Sequence, residues 1–174
     1  MSTHPEMNHV TTVTAVAPAS EATASHQRED MAWLLRQFAA DVPGVTHAVL
    51  LSRDGLRLLD SEVDKDWADE LSAALSGVAS LASNITGPSH QKRPARQVVI
   101  ERDDCLFFVQ SAGRSAAFED HPGNERGEVD TVLAVIATPD ADAGTAGFEM
   151  GRLVQKFAPY MQIPVRVGTG DEVR

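Results

Sequence analysis

The sequence predicts an α/β (α+β) fold, a five-stranded antiparallel sheet with helices on both faces in the order α-β-β-α-β-β-β-α. Helical spacing of apolar residues recurs in three separate stretches, and short runs of β-forming residues lie between them. Connections short enough for antiparallel pairing fit an antiparallel sheet with helices on its two faces.

The chain is 174 residues long, enough for one domain with its own core. Residues 1–25 are rich in Ala, Thr, Ser and Pro and have no sustained period, so they read as a disordered leader. Residues 26–163 read as the domain and residues 164–174 as a C-terminal tail.

The first helix is expected from Arg28 to Val42, where Met31, Leu34, Leu35, Phe38 and Val42 recur on one face and Pro43-Gly44 stops it. Trp33 falls off that stripe, either over the edge of the core or as a partner contact. Val45 to Ser52 is apolar on both faces, as in a strand covered from two sides. Asp54-Gly55 closes a tight hairpin because glycine takes a positive φ without a Cβ clash. The more polar Leu56 to Asp60 returns nearer a sheet edge.

A second helix follows from Asp64 to Asn84, with Asp64 or Asp66 as its N-cap. Its apolar stripe is Trp67, Leu71, Leu75 or Ala74, Val78, Leu81 or Ala82, and Ile85. Ala73, Ser76, Gly77 and Ser80 make an opposite side of small residues. Gly77 costs about 1 kcal/mol of helix propensity relative to Ala, so a packing reason is expected. Either the helix presses on its own sheet there or another helix approaches from outside.

Gly87 to Arg96 is a loop whose basic residues, Lys92, Arg93 and Arg96 beside His90, are expected in solvent. Gln97 to Arg102 and Cys105 to Ala112 form a second hairpin through Asp103-Asp104. Arg114 to Glu128 is a long polar loop that Phe118 can anchor, and the continuously apolar Val129 to Thr138 is a central strand. Asp140 or Asp142 caps a last helix carrying Ala146, Met150, Leu153, Val154, Phe157 and Met161. Gly147 and Gly151 have room to lie against the sheet, and Pro159 predicts a kink or an early end.

Composition excludes several function classes. With 25 acidic against 15 basic residues the net charge is −10, which opposes attraction to nucleic acid or anionic membrane. No run approaches the roughly 20 apolar residues of a membrane span, and the N-terminus lacks a secretory layout, so a cytoplasmic protein is expected. No phosphate-binding loop, metal-ligand spacing or nucleophile elbow is present, and neither cofactor nor metal is expected. The six histidines are scattered and expected at the surface. The single Cys105 lies beside Asp103 and Asp104, whose charge disfavours a thiolate.

Several local words in their joint order carry a resemblance. They are Trp33-Leu34-Leu35 with Phe38, Val42-Pro43-Gly44-Val45, His47-Ala48-Val49 and Ser52-Arg53-Asp54-Gly55-Leu56. Ala68-Asp69-Glu70-Leu71 and Ser76 through Ala82 follow, then Gly147-Phe148-Glu149-Met150 with Arg152-Leu153-Val154. From Asp30 to Met161 the chain resembles the roadblock family, named for dynein light chains, and especially the small bacterial members encoded in actinobacterial conservon operons. The resemblance implies a profilin-like sandwich that dimerises by continuing its sheet and packing second helices across a two-fold axis. It also implies a non-catalytic regulator or scaffold for a Ras-like small GTPase, accompanied by a sensor-kinase-like protein. Related roadblock dimers accelerate GTP hydrolysis by reshaping the GTPase. The long leader and the polar 114–128 loop depart from the family pattern.

The expected contact residues are Ala73, Ser76, Gly77 and Ser80 on the helix, with Gln97, Val99 and Glu101 on a pairing edge. The rival reading is a small-molecule sensor on a profilin-like or PAS-like sandwich, which needs a pocket with converging polar groups.

Overall fold

A computed structural model describes residues 18–124 and 127–162. Its elements are α1 (Pro18–Asp41), β1 (Val45–Ser52), β2 (Arg57–Asp60), α2 (Lys65–Asn84), β3 (Val98–Glu101), β4 (Leu106–Ser115), β5 (Val129–Ala137) and α3 (Ala143–Met161). The sheet is antiparallel with the order β2-β1-β5-β4-β3, so the expected element order and fold class hold.

Burial explains the order. β5 is buried along nearly its whole length and pairs with both β1 and β4, as expected of the most continuously apolar strand. On one face Ala48, Leu50, Phe108, Leu133 and Val135 pack against Met31, Leu35 and Phe38 of α1 and Met150, Leu153 and Phe157 of α3. On the other, Val49, Leu51, Phe107, Val109 and Val132 pack against Leu71, Leu75 and Ala79 of α2. Each such side chain contributes about 1.5–3 kcal/mol by leaving water.

The first hairpin turns on Ser52, Asp54, Gly55 and Leu56. Ser52 N–H donates to Leu56 O at 2.8 Å and Gly55 N–H to Ser52 O at 3.0 Å, with Gly55 at φ 94°. The Ser52 hydroxyl bonds the Asp54 carboxylate and accepts from Leu56 N–H, locking the turn from inside. Asp64 caps α2 by accepting from Trp67 N–H, and Asp142 caps α3 by accepting from Thr145 N–H.

Four expectations need correction. α1 begins at Pro18, so residues 18–25 are helix; Ala24 and Gln27 are buried, and Gln27 Nε2 donates to Gln162 O at 3.0 Å. That long-range anchor leaves no periodic trace in the sequence. Residues 1–17 and the tail from 163 lie outside the described residues. β4 runs on to Ser115, into the expected loop, because Gly113 to Ser115 pair with Thr131 to Val129. Of the kink or early end expected at Pro159, the early end does not occur: Pro159 lies inside α3, which continues to Met161, with Phe157 and Met161 buried on either side of it. Gly151 has open space around its Cβ position, and Gly147 meets the Gln97 side chain instead of the sheet centre.

Candidate protein-protein interface

α2 is built largely from Ala, Ser, Leu and Gly, and its two flanks meet different neighbours. Toward the first hairpin, a Cβ placed on Gly55 would lie 3.0 Å from Ser76 Oγ and 3.4 Å from Ala73 Cα. The small side chains on this flank therefore have a local cause: the backbone of the chain's own turn comes close. Ser76 is buried, its hydroxyl donating to Ala73 O, so it is not available to a partner. Ser80 is half-buried and Ala73 exposed.

Gly77 points the other way. Nothing lies within 4 Å of its Cβ position, and around it the outer face of α2 carries Ala74, Leu81 and Ile85. Leu81 is 72% exposed and Ile85 69% exposed, although both belong to the apolar stripe expected to face the core. The stripe turns outward in the last turns of α2.

What lies beside that end is β3, an edge strand. Val98 and Ile100 are half-buried toward α2, while Val99 is 48% exposed and Glu101 is exposed. Gln97, just before the strand, reaches to the opposite face, where Nε2 lies 3.7 Å from Met150 Sδ. A surface groove of about 770 Å³ runs between the two elements and is lined by Ala82, Ile85, Pro88, Ala95, Val98 and Val99. Of the expected contact residues, Gly77 lies on the exposed side of α2, Gln97 and Val99 line the groove with Ile85, and Ser76 is buried against the first hairpin.

The basic residues of the adjoining loop, Lys92, Arg93 and Arg96, are exposed; Arg93 lines the groove and donates to the Gln91 side chain at 3.4 Å. Trp33 lies outside the core and borders a shallow depression between α1 and α3 with Leu34, Phe38 and Leu153.

The remaining chemically capable groups do not assemble. Burial first, and then the Asp104 carboxylate, push the Cys105 thiol up, away from the reactive thiolate. His121 corrects the expectation of a surface histidine. Its side chain is 5% exposed, Nδ1 accepts from Gly123 N–H at 2.9 Å, and Nε2 lies 3.5 Å from the Asp54 carboxylate of the first hairpin without a hydrogen bond. Phe118 and Ala117 are buried beside it, the anchoring role expected of Phe118. His47 stacks edge-on against Trp67. Among the described residues no group of three His, Cys, Asp or Glu side chains could hold a metal, and no helix is long and apolar enough to cross a membrane.

These features describe an α/β sandwich with an open sheet edge beside an apolar helix face. The chain belongs to the Roadblock/LC7 family: the Roadblock/LC7 domain model matches residues 31–118, from the buried face of α1 to the Phe118 anchor. Solved structures agree. A Roadblock/LC7 domain from Streptomyces avermitilis is 38% identical, with a TM-score of 0.60 over 74% of this chain and 94% of that one. A second Roadblock/LC7 domain from the same organism is 29% identical, with a TM-score of 0.53 over 72% and 96%. The gliding protein MglB from Thermus thermophilus, 16% identical with a TM-score of 0.53 over 84% and 94%, shares the fold. No curated protein matches the chain.

Proposed function

We propose that this chain is a homodimeric, non-catalytic roadblock regulator of the cytoplasm that binds a Ras-like small GTPase, as a scaffold or as a modulator of its GTP hydrolysis, alongside a sensor-kinase-like protein. The observation that carries the reading is the exposed apolar face of Gly77, Leu81 and Ile85 beside the open β3 edge at Val99, in a chain of this family. Apolar residues of this size are costly to leave in water, and an edge strand offers unpaired backbone groups to a second chain. The helix contact then comprises Ala73, Gly77 and Ser80 with Leu81 and Ile85 added, and Gln97, Val99 and Glu101 form the strand contact. Ser76 is left out.

The experiment mixes the protein with Ras-like GTPases encoded near it, each loaded with GDP or a GTP analogue, and measures binding and hydrolysis. Binding that depends on the nucleotide, with or without a change in hydrolysis, is the expected result. Absence of binding in both nucleotide states for every GTPase tried would sink the reading. The small-molecule alternative gains no comparable support: both sheet faces are filled by aliphatic and aromatic side chains, and the larger concavities, of about 640 and 770 Å³, are surface grooves.

A further inference from the structure

We propose that His121 is a proton-operated clasp: as a neutral ring it holds residues 121–124 of the loop against the Asp54 turn, and on taking up a proton it releases Gly123 and bonds Asp54.

The loop after β4 is anchored at its start and folded on itself beyond. Ala116 N–H donates to Met161 O at 2.8 Å, and Ala117 and Phe118 are buried. His121 N–H then donates to Phe118 O and Asn124 N–H to His121 O, so residues 118–124 coil into two successive turns. These turns meet the first hairpin through the His121 side chain and Gly123. The imidazole is 5% exposed with Nε2 3.5 Å from the Asp54 carboxylate, and a Cβ on Gly123 would collide with that carboxylate and with the ring.

The hydrogen bonds show which nitrogen carries the hydrogen. Nδ1 accepts from Gly123 N–H at 2.9 Å, so the neutral ring is protonated at Nε2, which is buried and has no hydrogen-bond partner. A second proton can bind only at Nδ1. There it faces the Gly123 N–H, donor against donor, and that bond is lost.

A buried imidazolium needs acceptors for both of its N–H groups, because a buried donor left unpaired costs more than an ordinary hydrogen bond contributes. Two acceptors are at hand. One is the Asp54 carboxylate beside Nε2. The other is Asn124 Oδ1, which is buried and accepts nothing, while Asn124 Nδ2 is committed to Phe118 O at 3.4 Å and Glu119 O at 3.2 Å. The ring therefore has one hydrogen-bonded arrangement for each protonation state, and passing between them moves residues 121–124.

The charged groups around the ring come from every element packed near it: Asp54 from the turn, Arg57 from β2, Asp69 from α2, Arg28 from α1 and Asp120 from its own loop. Arg57 and Asp69 pair with each other, and Arg53, next to Asp54, is turned to Ser83 Oγ at 3.1 Å. Asp54 is the closest carboxylate, so the imidazolium has an anion beside it. The clasp is also a wall. Asp54 and Gly123 line a cleft of about 400 Å³, and His121 and Pro122 line a groove of about 640 Å³, so release of Gly123 reshapes both.

Nuclear magnetic resonance of the full chain from about pH 8 to about pH 5 tests the clasp. At the upper end the proton–nitrogen spectrum of the imidazole is expected to place the hydrogen on Nε2. As the ring takes its second proton, the hydrogen-exchange protection factor of the Gly123 amide is expected to fall about fivefold, for the loss of one hydrogen bond, while that of Ala116 holds. In His121→Gln, which has no proton to take up, Gly123 is expected to keep one protection factor across the range. A hydrogen on Nδ1 at the upper end, a ring that stays neutral throughout, or Gly123 protection that still follows pH in His121→Gln overturns the clasp. So does a charged ring with Gly123 protection unchanged, or an equal loss at Gly123 and Ala116, which would mean that the whole loop melts. If His121→Gln does not fold, the comparison of Gly123 with Ala116 in the natural chain decides alone.

Discussion

The two edges of this sheet have the same length and opposite chemistry. β2 and β3 each contribute four residues. Along β2, Arg57 donates to Asp60 at 2.7 Å and to Asp69 of α2 at 2.9 Å, and Lys65 reaches Asp69 at 3.0 Å. Along β3, Val98, Val99 and Ile100 come in succession, and the strand's only charge is Glu101. Charged side chains are a common way of keeping an edge from pairing with another chain. β2 is defended in this manner and β3 is not, so the sheet has one edge fit for a partner.

The contrast breaks most sharply at Val99. Val99→Lys places a charge on the bare edge. Dimer affinity is expected to fall about 100-fold by light scattering over a dilution series, a loss of the size seen at interface centres. Because Val99 is half-exposed, the stability of the monomer, read from urea unfolding, should change by no more than about 0.5 kcal/mol. A fall in stability with no change in association would mean that β3 is part of the fold's own support and not a docking edge.

A smaller effect is expected at the other edge. Arg57→Ala removes the bridge between Asp60 and Asp69 and leaves two carboxylates without their cation. Since the network is partly solvated, unfolding stability should drop by about 1 kcal/mol at most. The more telling readout is association: with its guard gone, β2 should begin to pair, and species larger than a dimer should appear with rising concentration. If the size distribution is unchanged, something other than charge keeps β2 single.

Much of this asymmetry was legible before the structure. Arg57 and Asp60 marked β2 as polar, and Gln97 to Glu101 read as a pairing edge. The hairpin and the central position of β5 followed from turn chemistry and continuous apolar character, and each helix cap was narrowed to two aspartates, Asp64 or Asp66 and Asp140 or Asp142, of which Asp64 and Asp142 cap. The helix surface was read less well, for a physical reason. Apolar identity does not distinguish a residue facing its own core from one facing a partner, so Leu81 and Ile85 were grouped with Leu71 and Leu75 on one stripe. Small residues carry little hydrophobic contrast, so Ser76, pressed under Gly55, looked the same as Gly77, which faces open space. Gln27 and the early start of α1 depend on Gln162, far away in the chain, and local periodicity does not reach that far.

The guard on β2 should also have a pH at which it fails. Hydrogen bonds from Arg57 and then Lys65 hold the Asp69 carboxyl below its usual range, while Asp69 and then Asp60 hold the Arg57 guanidinium charged. A carboxyl whose folded pKa is depressed binds its proton more readily in the unfolded chain. Its contribution is therefore fully present above the unfolded value of about 3.9 and is lost as the pH falls through the lower folded value. Asp69 is solvent-exposed, so this effect on stability is the smallest of the three. Urea midpoints from pH 6 down to pH 2 should fall less steeply below pH 4 for Asp69→Asn than for the natural chain. The larger species expected of Arg57→Ala should appear in the natural chain only as the pH falls and Asp69 takes up its proton. Identical acid limbs in the two proteins would show that Asp69 does not couple to folding, and the difference between the edges would then rest on Asp60 and Arg57 alone.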